Sequence, residues 1–205
     1  KRLKRKNIKI FNGQPLIAWT ILEAKKSKYI DSIIVSTEDQ EIADIAIQYG
    51  ALVPYLRPDH LALDHIVATE PILDILENYH DIKQIVLLQP TSPLRLHQDI
   101  DECIKMSTSN KGQPCVSISE LVYDTSILVL RNEKNIINKY KNNKNIFKIN
   151  GAIYTSSAKN LIKHKTFITK NTISYKMPID RSIDIDTDLD FQIAENIFKK
   201  KNEIL

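Results

Sequence analysis

The sequence predicts an α/β domain in which helices surround a doubly wound, mostly parallel β-sheet. Short runs rich in β-branched residues alternate with amphipathic stretches of about 10–15 residues, which is typical of strands joined by helical crossovers. The chain has 205 residues, of which 42% are hydrophobic, and this is enough for one buried core. We therefore predict one domain over residues 1–205, without internal repeats.

The predicted elements follow one another from an Asn12-Gly13 turn onward. Apolar residues recur at helical spacing directly after this turn, and the first short β-branched run comes next. The predicted helices are residues 15–28, 39–49, 67–79, 98–106 and 188–201. The predicted strands are residues 31–37, 50–54, 84–88, 115–119 and 151–155.

The alternation weakens between residues 121 and 148, where Asn and Lys are dense. We expect this segment to lie outside the main sheet as a small extension. We predict that it forms a dimerisation arm between two copies of the chain.

The charge of the chain suits a small polyanion. Twenty-nine Lys and Arg against 25 Asp and Glu give a net charge of +4, and much of the excess lies in residues 1–6 and 199–201. A basic patch of this kind attracts a triphosphate. A nucleic-acid interface would need a broader basic face with interleaved aromatic residues, and aromatic residues are only 7% of the chain, so no nucleic-acid partner is predicted.

The sequence also predicts a cytoplasmic protein with no membrane partner. No apolar stretch approaches the roughly 20 residues that span a bilayer, and no signal-peptide pattern is present. Cys103 and Cys115 lack the spacing of a zinc site or a disulfide framework. Both are predicted to be reduced, structural thiols.

A first candidate site follows the predicted strand 84–88. In open α/β sheets ligands bind beyond the carboxyl ends of the strands, and here the strand leads into Gln89-Pro-Thr-Ser-Pro93. This loop carries the amide of Gln89 and, between its two prolines, two hydroxyl groups. The alternative is a turn that the prolines merely stiffen.

A second candidate site is the acidic run at 183–188. In an extended segment Asp184 and Asp186 would point to one face while Ile183 and Ile185 point to the other. Two carboxylates held together suit Mg²⁺, which takes a few carboxylate oxygens and keeps water and phosphate oxygens for the rest. The alternative is that Asp186 or Thr187 caps the following helix. A metal site and a helix cap can both be present in this run.

Taken together, these pieces resemble the acylneuraminate cytidylyltransferases, the CMP-sialic acid synthetases and their legionaminate and pseudaminate relatives. The resemblance runs in order along nearly the whole chain, and its most specific parts are Gln-Pro-Thr-Ser-Pro and Ile-Asp-Ile-Asp. The matching stretches are residues 1–7, 13–20, 34–38, 56–58, 88–95, 150–154 and 183–187.

The resemblance implies a Rossmann-like sheet of the nucleotide-diphospho-sugar transferase type, usually in a homodimer. It also implies a Mg²⁺-dependent reaction in which CTP and a nine-carbon nonulosonic acid give a CMP-sugar and pyrophosphate.

The resemblance further implies roles for single residues. Lys6 matches the lysine that neutralises charge on the phosphates, and Gln89 matches the glutamine that contacts the sugar. Asp184 and Asp186 match the metal-binding pair, and with Lys6 they are the expected catalytic residues. The nucleotide-binding positions are Lys1, Lys6, Asn7 and Arg57.

Three departures from the family pattern are visible. The first strand and the Gly-rich loop that open the family's nucleotide site do not precede Lys1 in this sequence. Val67-Ala68 stands where the family commonly has two serines, and Lys148-Ile149 stands where many members have Arg-Pro. A lysine keeps the positive charge but loses the bidentate fork of arginine.

Two alternatives to the nine-carbon substrate remain open at this stage. The chain could activate a different, shorter ulosonic acid with CTP. It could also be a catalytically impaired homologue that acts as a binding subunit, although the retention of Lys6, Asp184 and Asp186 argues against that.

Overall fold

The computed structural model shows an α/β fold and describes residues 3, 5–63, 65–121, 129–131, 137–139 and 146–202. The helices are α1 (Leu16–Lys26), α2 (Gln40–Gln48), α3 (Glu70–Asn78), α4 (His97–Ser109), α5 (Ala158–His164) and α6 (Asp188–Asn202). The strands are β1 (Ile10–Phe11), β2 (Gln14–Pro15), β3 (Gln84–Leu88), β4 (Cys115–Glu120), β5 (Val129–Arg131), β6 (Ile137–Lys139), β7 (Phe147–Ser157) and β8 (Ile173–Lys176). Short 3₁₀ turns lie at Lys6–Ile8, Asp59–Leu61 and Ile179–Arg181. The five predicted helices are all present.

The largest sheet within the described residues has four strands in the order β3-β7-β4-β8. It is mixed and not mostly parallel, because β7 runs antiparallel to both β3 and β4 while β4 and β8 are parallel. No helix lies in the described parts of the connection between β4 and β7. Parallel neighbours need a long crossover connection, usually a helix, whereas antiparallel neighbours do not, so the alternation of helices and strands did not predict the direction of β7.

The two predicted strands at 31–37 and 50–54 are reduced to one parallel bridge between Ile34 and Leu52. The Val35 amide donates to the Leu52 carbonyl at 2.9 Å, and the Leu52 amide donates to the Ile33 carbonyl at 2.8 Å. Apolar side chains from both runs pack against α1 and α2. The prediction was therefore right about their parallel direction, but the pairing is shorter than predicted and the runs are only partly buried.

Helix α4 covers one face of the sheet and forms the main core with it. Ile100, Cys103 and Ile104 pack against Cys115 and Ile153 there, and all five side chains are buried. The two cysteines are free, with their sulfur atoms 3.9 Å apart. Both are structural thiols, as predicted.

A separate aromatic cluster holds α6 against the start of the chain. Phe11 is fully buried and makes edge contacts with Trp19, Phe191 and Phe198 at centroid distances of 5.5–6.4 Å. The Trp19 indole donates to the Phe11 carbonyl at 2.8 Å. This cluster brings the residues just before α6 close to the N-terminal turn at Lys6–Ile8.

The predicted extension at 121–148 is described only in part. β5 and β6 pair antiparallel as a short hairpin, and residues 122–128, 132–136 and 140–145 lie outside the described residues. Dimerisation through this segment stays a prediction. Among the helices of the described residues, none has the length and apolar character needed to cross a membrane.

Candidate active site

Two loops lie side by side at the carboxyl end of β3. The first, residues 89–95, is called the prolyl loop, and the second, residues 182–187, is called the carboxylate loop. The Ile185 amide donates to the Thr91 carbonyl at 2.8 Å, and the Ile185 side chain is fully buried. Asp186 beside it is exposed, whereas Asp184 is half-buried. The alternation predicted for this run therefore holds for Ile185 and Asp186, and only in part for Asp184.

Lys6 reaches the carboxylate loop from the N-terminal 3₁₀ turn. Its Nζ donates to Asp186 Oδ1 at 2.8 Å and to the Ile185 carbonyl at 3.0 Å. The Lys6 side chain is 21% exposed, whereas that of Asp186 is 57% exposed. The ammonium group is thus partly shielded from water and remains next to an open carboxylate.

Asp184 is the more buried of the two carboxylates. Burial raises its pKa, the charges of Asp186 and Asp190 add to the shift, and a hydrogen bond from Thr91 together with the charge of Lys6 opposes it. Its Oδ1 atom is buried and has no hydrogen-bond partner within the described residues. A buried acceptor without a donor is costly, and a cation would relieve that cost.

The cap of α6 is made by side chains other than those of Asp184 and Asp186. The Thr187 hydroxyl accepts from the Asp190 amide at 3.2 Å, and Asp190 accepts from the Asp186 and Thr187 amides. The cap of α6 is therefore made by Thr187 with Asp190. The capping interpretation of the acidic run is thereby confirmed for Thr187, and the metal-binding interpretation of Asp184 and Asp186 stays a prediction.

The donor set around Asp184 and Asp186 fits Mg²⁺ in kind. Among the described residues there is no group of three or more His, Cys, Asp and Glu that would enclose a metal ion. A pair of carboxylates is nevertheless what Mg²⁺ uses when water and substrate phosphates complete its shell. The unpartnered Oδ1 of Asp184 is the atom that carries this fit.

The side chains of Gln89 and Asp184 both approach the position that a Cβ atom would take at Gly151. A Cβ atom at Gly151 would come within 2.7 Å of Gln89 Oε1 and 3.6 Å of Asp184 Oδ2, and the φ angle of Gly151 is +78°. Only glycine satisfies both the backbone conformation and the close approach. Gly151 therefore allows the Gln89 amide and the Asp184 carboxylate to share one space.

A polar network behind Gly151 fixes the carboxylate loop to the sheet. The Ser117 hydroxyl donates to Asn150 Oδ1 at 2.5 Å, and the Asn150 amide donates to the Ser182 hydroxyl at 2.9 Å. The Arg181 guanidinium binds Asp99 through two hydrogen bonds, at 2.6 and 2.9 Å, and Asp99 is fully buried. These contacts hold the residues that precede Asp184.

Arg57 lies in a neighbouring part of the surface, beside α2. Its guanidinium forms an ion pair with Glu38, and its amide donates to the Thr37 carbonyl at 2.8 Å. Its Nε atom is buried without a partner in the described part of the chain. No hydrogen bond or ion pair among the described residues joins Arg57 to the carboxylate loop.

Of the remaining positions singled out from the sequence, all but Lys1 lie within the described residues. Asn7 is half-buried in the same 3₁₀ turn as Lys6, and Lys1 lies outside the described residues. Val67, at one of the departures from the family pattern, is exposed just before α3. Lys148 lies on β7. Burial raises the pKa of Asp190, but hydrogen bonds from Thr187 and Asp186, together with the charge of Lys148, outweigh burial and lower the pKa.

Comparison with known proteins decides the family. The sequence profile described as Cytidylyltransferase matches residues 1–204. The chain belongs to the cytidylyltransferase family. The motif resemblance stated from the sequence is thereby confirmed.

Among the relatives of this cytidylyltransferase is a CMP-N,N'-diacetyllegionaminic acid synthase from Legionella pneumophila. It is 34% identical over 100% of this chain and 94% of its own length. An N-acylneuraminate cytidylyltransferase from Escherichia coli is 33% identical over 98% of this chain and 50% of its own length. A solved structure of a CMP:2-keto-3-deoxy-manno-octonic acid synthetase complexed with CTP superposes with a TM-score of 0.73 at 13% identity, covering 98% of this chain and 94% of that one. The last similarity confirms the α/β fold alone.

The predicted site of this cytidylyltransferase is therefore brought together in large part. Lys6, Gln89, Asp184 and Asp186 meet at the prolyl and carboxylate loops, which the sequence treated as separate candidates. Reasoning from the sequence gave no role to the side chains that support them, Asn150, Arg181 and Arg95. The signal for Asn150 and Arg95 was their place in the matched stretches 150–154 and 88–95, and no local pattern marks Arg181.

Proposed function

We propose that this protein transfers CMP from CTP to the anomeric hydroxyl group of a nine-carbon, sialic-acid-type sugar and releases pyrophosphate. The observation that carries this proposal is the meeting of the Lys6 ammonium group with the Asp184 and Asp186 carboxylates beside Gln89. The names of the relatives support the sugar class, since two of them act on legionaminic and neuraminic acids.

Lys6 suits the phosphate chemistry because its charge is fixed in place before the substrate arrives. Pyrophosphate gains negative charge as it leaves, and an ammonium group already oriented in a partly shielded site stabilises that charge without reorganisation. Its present partners, Asp186 Oδ1 and the Ile185 carbonyl, hold the flexible side chain in position.

Asp184 and Asp186 would hold a Mg²⁺ ion. When bound, Mg²⁺ neutralises charge on phosphate oxygens and helps to align the attacking hydroxyl group with the α-phosphate. Asp184 would contribute its buried, unpartnered oxygen, and Asp186 would contribute its exposed carboxylate while keeping Lys6 nearby. A carboxylate that contacts Lys6 and would also bind Mg²⁺ would bring two cations to the phosphates.

Gln89 is the candidate sugar contact and Arg57 the candidate nucleotide contact, with Asn7 and Lys1 beside the phosphates. The Gln89 amide is free to hydrogen-bond a sugar hydroxyl or carboxylate, since its side chain faces Gly151 with no side-chain partner among the described residues. Arg57 has a buried Nε atom that lacks an acceptor there, as a binding residue awaiting its ligand would.

The proposal is tested by pyrophosphate release from the purified full-length protein with CTP and Mg²⁺. N-acetylneuraminate, legionaminate, pseudaminate and a shorter ulosonic acid are offered in parallel, and Asp184→Asn is the matched control. We expect release with one nine-carbon acid and loss of that release in the control. Pyrophosphate release with the shorter acid alone would mean that the substrate is a shorter ulosonic acid. No release with any of the four acids would favour a binding subunit.

We also infer a cytoplasmic homodimer that associates through the 121–148 segment. The dense Asn and Lys there, and the short hairpin of β5 and β6 outside the main sheet, support an arm that reaches beyond the domain. Light scattering at micromolar concentration tests this inference, and a monomeric mass would contradict it.

A further inference from the structure

Arg95 is the largest fully buried side chain of the described residues, with 1% exposure. It forms no salt bridge among those residues, and its hydrogen-bond acceptors are neutral. Burial lowers its pKa to about 10, partly offset by the charges of Asp99 and Glu23, so the group stays protonated at neutral pH. A buried charge without a bonded carboxylate is costly, and an apolar side chain could fill the same volume.

The guanidinium joins the two backbone segments that meet at the sugar-facing end of the site. One nitrogen, Nη1, donates to the Gln89 carbonyl at 3.2 Å and to the Ala152 carbonyl at 2.8 Å. Ala152 follows Gly151, the residue against which Gln89 Oε1 lies. A single nitrogen atom therefore fixes the backbone on both sides of the contact between Gln89 and Gly151.

Helix α1 completes the arrangement through Thr20, which is buried. The Thr20 hydroxyl accepts from Arg95 Nη2 at 2.8 Å and donates to the Gln89 carbonyl at 3.5 Å. The Ser92 amide also donates to this carbonyl, at 3.3 Å. Three donors thus converge on one backbone oxygen, which is more than a turn requires for its stability.

We propose that Arg95 is a positioning residue for Gln89, which holds the glutamine backbone in register with Gly151 so that the amide side chain is presented to the sugar. This inference rests on the proposed function. It assigns Arg95 a place in recognition of the sugar acid, at a distance from the phosphates, with Thr20 as its support. A purely structural tie would affect both substrates alike.

The test is a double-mutant cycle of Arg95→Lys and Gln89→Ala, with the KM of the sugar acid, the KM of CTP and kcat measured for each variant. Small misplacements of a substrate-positioning group are costly, so we expect Arg95→Lys to raise the KM of the sugar about tenfold while the KM of CTP stays within about twofold. In the Gln89→Ala background, Arg95→Lys should add no further increase. The inference is overturned if the two substitutions multiply each other's effect on the KM of the sugar acid. It is also overturned if Arg95→Lys changes the KM of the sugar acid and the KM of CTP equally.

Thr20→Val keeps the test sharp if Arg95→Lys folds poorly. It removes only the hydroxyl group, and we expect the same selective rise in the KM of the sugar, with Thr20→Ser restoring the wild-type value. Thr108→Val is the matched control, because its hydroxyl bonds only to carbonyls within α4. A Thr20→Val protein with unchanged KM values would contradict the proposal.

Hydrogen exchange separates failure of this inference from failure of the proposed function. If the wild-type protein releases no pyrophosphate, the proposed function fails, and amide exchange over residues 89–95 then decides about Arg95. Faster exchange there in Arg95→Lys, with α6 unchanged, supports the positioning role. Exchange as slow as in the wild type overturns it.

Discussion

Lys6 and Asp186 are 180 residues apart in sequence, yet the Lys6 Nζ atom lies 2.8 Å from Asp186 Oδ1. The same ammonium group bonds to the neighbouring Ile185 carbonyl. The contact joins the turn before β1 to the loop before α6, and the aromatic cluster around Phe11 stabilises their approach. A cation and a carboxylate from opposite ends of the described chain are thus held in contact.

Removing the Lys6 charge should slow the chemical step. Loss of one group that stabilises developing charge typically lowers kcat by about 10²–10³, and we expect Lys6→Met to fall in that range. Steady-state kinetics with CTP in excess measures it. Lys9→Met is the control, because Lys9 makes a comparable but more exposed ion pair with Asp188 and should leave kcat nearly unchanged.

Asp184 should weaken the fold at neutral pH in the absence of metal. Burial raises its pKa in the folded state, and the charge of Asp186 adds to the shift. An acid with a raised pKa destabilises the folded protein above that pKa, and this effect disappears as the pH falls through it and the group protonates. We expect Asp184→Asn to raise the melting temperature at pH 7 in EDTA, with the gain shrinking toward pH 4.

The control for this effect is Asp188→Asn, which removes an exposed carboxylate from the same region. It should not reproduce the increase. A lower melting temperature for Asp184→Asn at pH 7 would show that Asp184 is stabilised by its surroundings and does not await a cation.

Magnesium should stabilise the folded protein through the same two carboxylates. A ligand that binds only the folded state raises stability by RT ln(1 + [L]/Kd), about 2.7 kcal/mol at a concentration 100 times Kd. We expect Mg²⁺ to raise the melting temperature of the wild type and to have no effect on Asp184→Asn or Asp186→Asn. An equal response of all three proteins would place the ion elsewhere.

Gly151 should be intolerant of any side chain. At its φ of +78° a Cβ atom costs roughly 1–2 kcal/mol in backbone strain. The approach of Gln89 Oε1 to 2.7 Å adds a clash that would displace the amide. Gly151→Ala is therefore expected to lower both stability and the affinity for the sugar acid.

Gly13→Ala isolates the clash from the strain. Gly13 has a similar φ of +83°, but nothing lies within 4 Å of the position that a Cβ atom would take there, so only strain is introduced. Urea unfolding and sugar KM values for both variants separate the two effects. Equal KM values would exclude a role for the contact between Gly151 and Gln89.

The ion pair between Arg181 and Asp99 should be a major source of stability for the carboxylate loop. Asp99 is fully buried and also accepts a hydrogen bond from the Tyr175 hydroxyl at 2.8 Å. Removing one partner of a buried pair leaves an uncompensated charge, and we expect Arg181→Met to cost about 3 kcal/mol in the free energy of unfolding. Lys105→Met, which breaks an exposed pair with Glu102, should cause no measurable change.

The sequence was sufficient for five of the six helices in the described residues and for the exposure of Asp186 beside the buried Ile185. Periodicity predicted α1 to α4 and α6 because each has a long apolar stripe, and alternation placed Asp184 and Asp186 opposite Ile185. α5 was not predicted, since its seven residues are too few for a periodic signal. The predicted helices could be found because residues close to one another in the sequence determine them.

The antiparallel direction of β7 and the contacts that hold the site residues in place depend on residues far apart in the sequence. β7 pairs antiparallel with β3 and with β4, which lie 59 and 27 or more residues earlier in the chain, and no short pattern within β7 predicts those pairings. Likewise Arg95 contacts Thr20 and Ala152, which are 75 and 57 residues away. A buried arginine looks like a surface arginine in a sequence until its neighbours in space are known.

The distance along the chain between Lys6 and Asp186 also sets an order of events during translation. All four strands of the main sheet have been synthesised once Lys176 is added, whereas both carboxylates and α6 follow later. A nascent chain halted there could form its strand pairs while the lysine still lacked its counter-ion. The contact between Lys6 and Asp186 can therefore form only after all four strands of the main sheet have been made.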